Sequence, residues 1–580
     1  MNDRSKHLGI IFVLSCMKQL VSYLPQAGGC LLITFATVDF ARGQTTLPLQ
    51  HLWEVQPNLG DIWTMGNQPR SVYIDFDRLL SNDPQIRLDT ARVICANYDR
   101  PGFGDKAKAI ERLIAALARS DETVLARRAL ISAACLLDDG TNAGRLWELS
   151  RNDTVSDHEV QEALIRWESD SALDSWRNVL RDPTSPSALT KLAIRGLGVR
   201  ETNEDKKLLA AILESESASI EHRLLAAKSL GNIQTTGLTP LARKYMESNL
   251  PEREMIAVSL LSKHTDDDAL QLILAVHEKG VSPAKRRAAE ILANQSQKIS
   301  EELAQGWLND SDVHFRELAL QVASAGDSFK AIEVAGRLLR DNEERLRRYA
   351  RRDLLELASG HREVIDALIK RELSGDDWRS IEQSIILIAE LRDSSRCEEL
   401  LSLLDHPQPE VHMHAAWALR DLSEAGPILD RLLEKAAALT DSLEQESKPF
   451  GKSNVIMLSL VLETFGRHKD ERAYEMLTKY IPKNDYKMGN LSRASAIWAI
   501  GQIKRNEDNP ELRAKLRERI KDLPPEKPEN YLVRFNCILA LGEFGFQESQ
   551  EVIEQYSGAP PNPLGYAGIW AKEQFKNSGK

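Results

Sequence analysis

Along most of this chain, apolar residues recur three and four positions apart, the spacing of one face of an α-helix. The periodic segments are short, and polar turns carrying Asp, Pro, Gly or Asn separate them, residues that stop one helix and cap the next. The clearest stretch is CEELLSLL, from Cys397, then the turn DHPQPE, then a second amphipathic segment beginning near Val411. No run alternates β-branched and polar residues between tight-turn dipeptides, so the pattern predicts helices throughout.

The segments repeat. HPQPEVHMHAAWALRDL (His406 to Leu422), NLSRASAIWAIGQI (Asn490 to Ile503) and YLVRFNCILALGEF (Tyr531 to Phe544) share one layout around a small residue, at Ala415, Ala496 and Cys537. The same template places anchors at Ala163, Ala193, Ala226, Ala257, Ala288, Ala319, Ala350 and Ile385. Weaker ones fall at Ala91 and Ala129 before these, and at Val461 and Gly568 towards the carboxyl end. From Ala226 to Ala350 each interval is 31 residues, which marks a single structural unit copied along the chain. One pair of short helices cannot cover its own apolar side, so each pair must stack on its neighbours. Small anchors fit that arrangement, because stacked helices approach closely only where side chains are short.

The strings DHPQPEVHMHAAWAL, SRASAIWAIG and VRFNCILALG resemble the HEAT repeat family, particularly its short bacterial, phycocyanobilin-lyase HEAT-like form. The resemblance covers roughly residues 80 to 575 and implies an all-α α-solenoid, a superhelix of stacked two-helix repeats. Tetratricopeptide repeats have a nearby period, but their Trp, Leu-Gly and Tyr positions are missing here. The expected organisation is a signal peptide or membrane anchor over 1–43, an amino-terminal cap over 44–80 and repeats over 81–439. An insertion loop over 440–454 follows, then repeats and a carboxyl-terminal cap over 455–580. Two long intervals, Ala415 to Val461 and Ala496 to Cys537, read as units carrying inserted loops.

Composition narrows the function classes. Of 580 residues, 28% are charged and 42% apolar, which suits a globular chain and excludes a disordered or polytopic membrane one. Lys and Arg total 75 against 86 Asp and Glu, a net charge of −11 that counts against generic nucleic-acid binding. The amino terminus differs from the rest. Arg4, Lys6 and Lys18 precede the uncharged stretch Gln19 to Val38, and Ala41-Arg42-Gly43 follows, a layout that predicts export or a retained tether. Met17 is an alternative start, and VLSC at Cys16 is a weak lipobox-like string. The six cysteines form no CxxC pair and no Cys/His cluster, which removes the common structural zinc and haem-attachment patterns.

Catalytic motifs are missing: no HExxH, GxSxG, Walker-type loop or GxGxxG occurs. Two His-Glu dipeptides, His158-Glu159 and His277-Glu278, invite comparison with deoxyhypusine hydroxylase, which resembles this architecture and binds iron through four such pairs. They lie 5 and 11 residues before their anchors, so repeat symmetry cannot bring them to one metal. His406, His412 and His414 are spaced for structural roles rather than ligation, and neither metal nor cofactor is expected. Seven arginines lie between Arg337 and Arg352, and Arg345, Arg348 and Arg352 form one stripe opposite Leu346, Ala350 and Leu357. The family resemblance would set that stripe inside the concave groove, where it could hold an anion or take neighbouring carboxylates instead. Trp417, Trp498 and Trp570 fall two residues after their anchors, with Met413, Phe535 and Tyr566 two before theirs, which predicts an aromatic ridge for a partner. The sequence thus favours a non-catalytic scaffold that binds a protein or peptide, exported or membrane-anchored. The alternatives are a lyase or cofactor-handling enzyme of the same family and an anion- or nucleic-acid-binding solenoid.

Overall fold

The structure is a computed structural model that describes residues 74–580, apart from 99–102, 152, 200–201, 248–249, 296–298, 425, 446–450, 484–487, 559–562 and 580. The leader, and Trp53, Trp63 and Tyr73 of the expected cap, lie outside the described residues. Among the described residues every regular element is helical, with 28 α-helices joined by turns and short 3-10 segments, and no helix is long and apolar enough to cross a membrane. The chain divides into two compact units. One comprises Pro69–Leu338 with Asn342–Leu357; the described part of the other comprises Leu339–Asp341 with Ala358–Lys580.

Local chemistry fixes where each helix starts. Asp83, Asp105, Thr123, Asp153, Thr202, Ser219 and Asp266 each occupy an N-cap and accept a hydrogen bond from a first-turn backbone N–H. Proline opens Pro84–Cys95, Pro251–Leu260, Pro409–Leu422 and Pro510–Lys521, where the missing N–H has no partner to lose. In both units first helices pack on their own second helices, and second helices pack along the next one, from Pro84–Cys95 to Val313–Ser324 in the first unit and from Trp378–Glu390 to Pro563–Ser578 in the other. Successive first helices touch more sparingly, so the second helices form the tighter row.

That row contains the anchors. Ala91, Ala163, Ala193, Ala226, Ala257, Ala288, Ala319 and Ala350 are buried in the first unit; Ile385, Ala415, Val461, Ala496, Cys537 and Gly568 are buried in the second. Ala129 is the exception and is half-buried. A further feature supports the tight spacing: five residues after an anchor stands a glycine, at 198, 231, 466, 501 and 542. A Cβ on Gly501 would lie 2.8 Å from the Ala540 Cα, and one on Gly466 would lie 2.7 Å from the Ala499 Cα, both atoms of the next second helix.

The long intervals correct the sequence reading. The stretch 440–454, expected as a loop, is helical on both sides: Pro427–Gln445 runs through its start and Lys452–His468 begins before its end. The extra length goes into a 19-residue first helix. Between Ala496 and Cys537 the first helix is Pro510–Lys521, with Leu512, Leu516 and Ile520 buried, and only the turn after it is long. Charged residues dominate both stretches because a first helix packs along one narrow stripe. In the described part of the amino-terminal cap, Phe76 and Leu79 are buried and the Phe76 ring lies 5.7 Å from that of Phe103. Pro563–Ser578 closes the other end, burying Leu564, Ala571 and Phe575.

Candidate partner-binding faces

The aromatic row lies on the tighter row of second helices, but inside it. Trp417, Trp498, Met413 and Phe535 are buried, and Trp570 is half-buried. The Trp498 ring edge covers Gly466 and that of Trp570 covers Gly542, where any side chain would collide with the indole. The predicted ridge is therefore packing between neighbours: the glycine five after one anchor makes the hollow that the next helix's ring fills. Tyr566 belongs to the last helix, and its side chain lies outside the described residues.

Beside the aromatics runs a buried polar seam that the sequence reading missed. Glu463 stands two residues after its anchor, the position that holds Trp417 and Trp498 elsewhere. Ser495 donates a hydrogen bond to Glu463 Oε1 at 3.1 Å, and Arg420 Nη1 lies 3.4 Å from Oε2. Arg420 also donates to Asp421, which is joined to Arg467 at 2.9 Å. Burial pushes the Glu463 carboxyl up to about 8, because lost hydration outweighs Arg420, Ser495 and Arg467. The Trp498 indole N–H is buried nearby without an acceptor among the described residues. One helix back, His414 Nδ1 donates to the Glu410 carbonyl at 2.8 Å and lies 3.5 Å from Glu382. Further along, Arg493 donates twice to Glu529, at 2.9 and 2.8 Å, with both side chains fully buried. A comparison of the units two after the anchor could have exposed Glu463; nothing local marks Glu529, which reaches Arg493 from the long turn.

The remaining candidates resolve as structural. His412 Nδ1 donates to the His406 carbonyl at 3.0 Å. His277 accepts from the Trp307 indole at 3.0 Å, while Glu159 accepts from Ser132, so the two His-Glu dipeptides serve separate packing contacts. Among the described residues no group of three His, Cys, Asp or Glu side chains is arranged to hold a metal. Cys95, Cys135, Cys397 and Cys537 are free thiols; burial pushes Cys95 and Cys397 up to about 11 and Cys135 to about 12, with Cys537 raised further.

The arginine stripe is the opposite case, since it faces water. On the helix Glu344–Leu373, Leu346, Ala350 and Leu354 turn into the core, and Leu357 is only half-buried. The side chains of Arg345, Arg348 and Arg352 are 49%, 53% and 62% exposed. Arg345 is bound to Glu317 at 2.8 Å. Arg348 comes no nearer than 3.9 Å to Glu344, and Arg352 stays 3.5 Å from Asp353 and 3.8 Å from Glu356, beyond hydrogen-bonding distance. Tyr349 lies between, with the guanidinium groups of Arg345 and Arg352 at 5.8 and 5.3 Å from its ring centre.

No family model and no curated protein matches this chain. Solved structures do. Importin beta aligns at TM-score 0.41 and 12% identity, covering 87% of this chain and 72% of that one. Kap121p aligns at TM-score 0.42 and 12% identity, covering 90% of this chain and 57% of that one, so this chain spans little more than half of Kap121p. At such values neither likeness bears on what this chain binds.

Proposed function

We propose that this chain is a non-catalytic scaffold that binds a protein partner on its row of second helices, and that Arg345, Arg348 and Arg352 receive an acidic part of that partner. One observation carries the reading: Arg348 and Arg352 are more than half exposed, and the carboxylate oxygens recorded beside them among the described residues stand at 3.9 Å from Arg348 and 3.5 and 3.8 Å from Arg352. An arginine seated beside an aromatic ring keeps its N–H edge for a planar anion such as a carboxylate. Assignment to the short bacterial HEAT form rests on its shared residue strings, and export or tethering rests on residues 1–43; amino-terminal sequencing of mature protein from fractionated cells tests the latter.

The binding reading is tested with a labelled oligoglutamate peptide and the full chain. The expected result is binding that weakens with salt and falls roughly tenfold in Arg348→Glu/Arg352→Glu. Binding unchanged by that double substitution refutes the reading.

A further inference from the structure

We infer that the acidic element this stripe fits is an α-helix, laid alongside residues 344–357, the part of the helix that precedes its kink at His361, with one carboxylate per turn. The inference rests on the acidic-partner reading above and goes beyond it by fixing the conformation and spacing of the occupant. Arg345, Arg348 and Arg352 stand three and then four residues apart on one helix, so at about 1.5 Å per residue they are separated by about 4.5 and about 6 Å along its axis. A second helix presents side chains on one face at the same two spacings. An extended segment repeats its same-face side chains about every 6.6 Å, which overshoots the stripe by its third arginine.

The surroundings favour the same occupant. Tyr349 is half-buried between Arg345 and Arg352, and its ring holds the two guanidinium groups apart along the axis. It also offers an apolar contact to the small residues that would lie between the carboxylates of a facing helix. Glu344 and Glu356 lie at the two ends of the stripe, at 3.9 and 3.8 Å from Arg348 and Arg352. Both are exposed, so incoming carboxylates can replace them at the arginines without uncovering a buried charge. Single anions gain little over these resident carboxylates; a helix that delivers several at matched spacing gains at each turn.

The test uses the full chain and two labelled four-turn peptides of identical composition, rich in alanine. One carries its glutamates along a single helical face; in the other they are scattered around the helix. Fluorescence anisotropy is expected to show the one-face peptide binding roughly tenfold more tightly, with the advantage abolished in Arg348→Gln/Arg352→Gln. These positions are on the surface, so far-UV circular dichroism should be unchanged. If both peptides bind equally and both respond to the arginine substitutions, the helical inference falls and the acidic-partner reading survives. If neither responds, both fall. A single-stranded oligonucleotide that binds the stripe more tightly than the one-face peptide would also overturn the inference.

Discussion

Glu463 shows how one side chain carries a pH dependence for the fold. Its carboxyl titrates near 4.5 when exposed and at about 8 in the folded chain. Between those values the folded state keeps a proton that the unfolded state has released, so stability falls as pH rises through that window. The slope for one such group is about 1.4 kcal/mol per pH unit. Glu463→Gln keeps the shape and an acceptor for Ser495 while removing the charge. Urea midpoints of this variant should therefore lose much of the decline that the native chain shows between pH 5 and pH 9, and exceed the native value at pH 9. Equal declines in both proteins would refute a neutral, buried Glu463. Little in the chain's pattern marked this residue, because a carboxylate in the apolar register of a helix looks like an ordinary surface charge until the neighbouring helix covers it.

At the level of the helix, the glycines five after the anchors are the most sensitive positions. Gly501→Ala places a methyl group 2.8 Å from the backbone of Ala540, forcing two packed helices apart, an overpacking expected to cost about 1–3 kcal/mol. Gly306→Ala, in the middle of Glu301–Leu308, meets nothing within 4 Å and should instead stabilise by about 0.5–1 kcal/mol through helix propensity. Opposite signs in thermal unfolding of the two variants are the expected outcome; equal signs would remove the close-packing argument. The anchors were legible because burial selects a small residue at a fixed interval, and that interval is set by the length of a helix pair. The long units around 440–454 and 504–530 were misread because a helix burying only one stripe has nearly the composition of a loop. The aromatic row was found at its correct positions but given the wrong surroundings: sequence spacing shows which face a ring takes, while the glycine opposite decides whether that face is covered.

For the molecule as a whole, stability accumulates between neighbours rather than around one centre. Removing Pro563–Ser578 uncovers the face of the helix Tyr531–Phe544 that packs along it. Hydrogen exchange in the shortened chain should lose protection first in Tyr531–Phe544 and then in Asn490–Ile503, leaving the Pro69–Leu338 unit unchanged. A uniform loss across both units would mean that the chain unfolds as one block. The acidic composition and the arginine stripe also belong to this scale: the first keeps the chain from indiscriminate association, and the second gives it a local exception.

The three buried thiols give the molecule its own opening gauges. Cys135 sits in one unit, Cys397 and Cys537 in the other, and all three are held protonated at neutral pH. An alkylating reagent can mark them at speed only after the surrounding helices part, so the order in which mass tags accumulate under rising denaturant would time the loosening of each unit with no engineered probe.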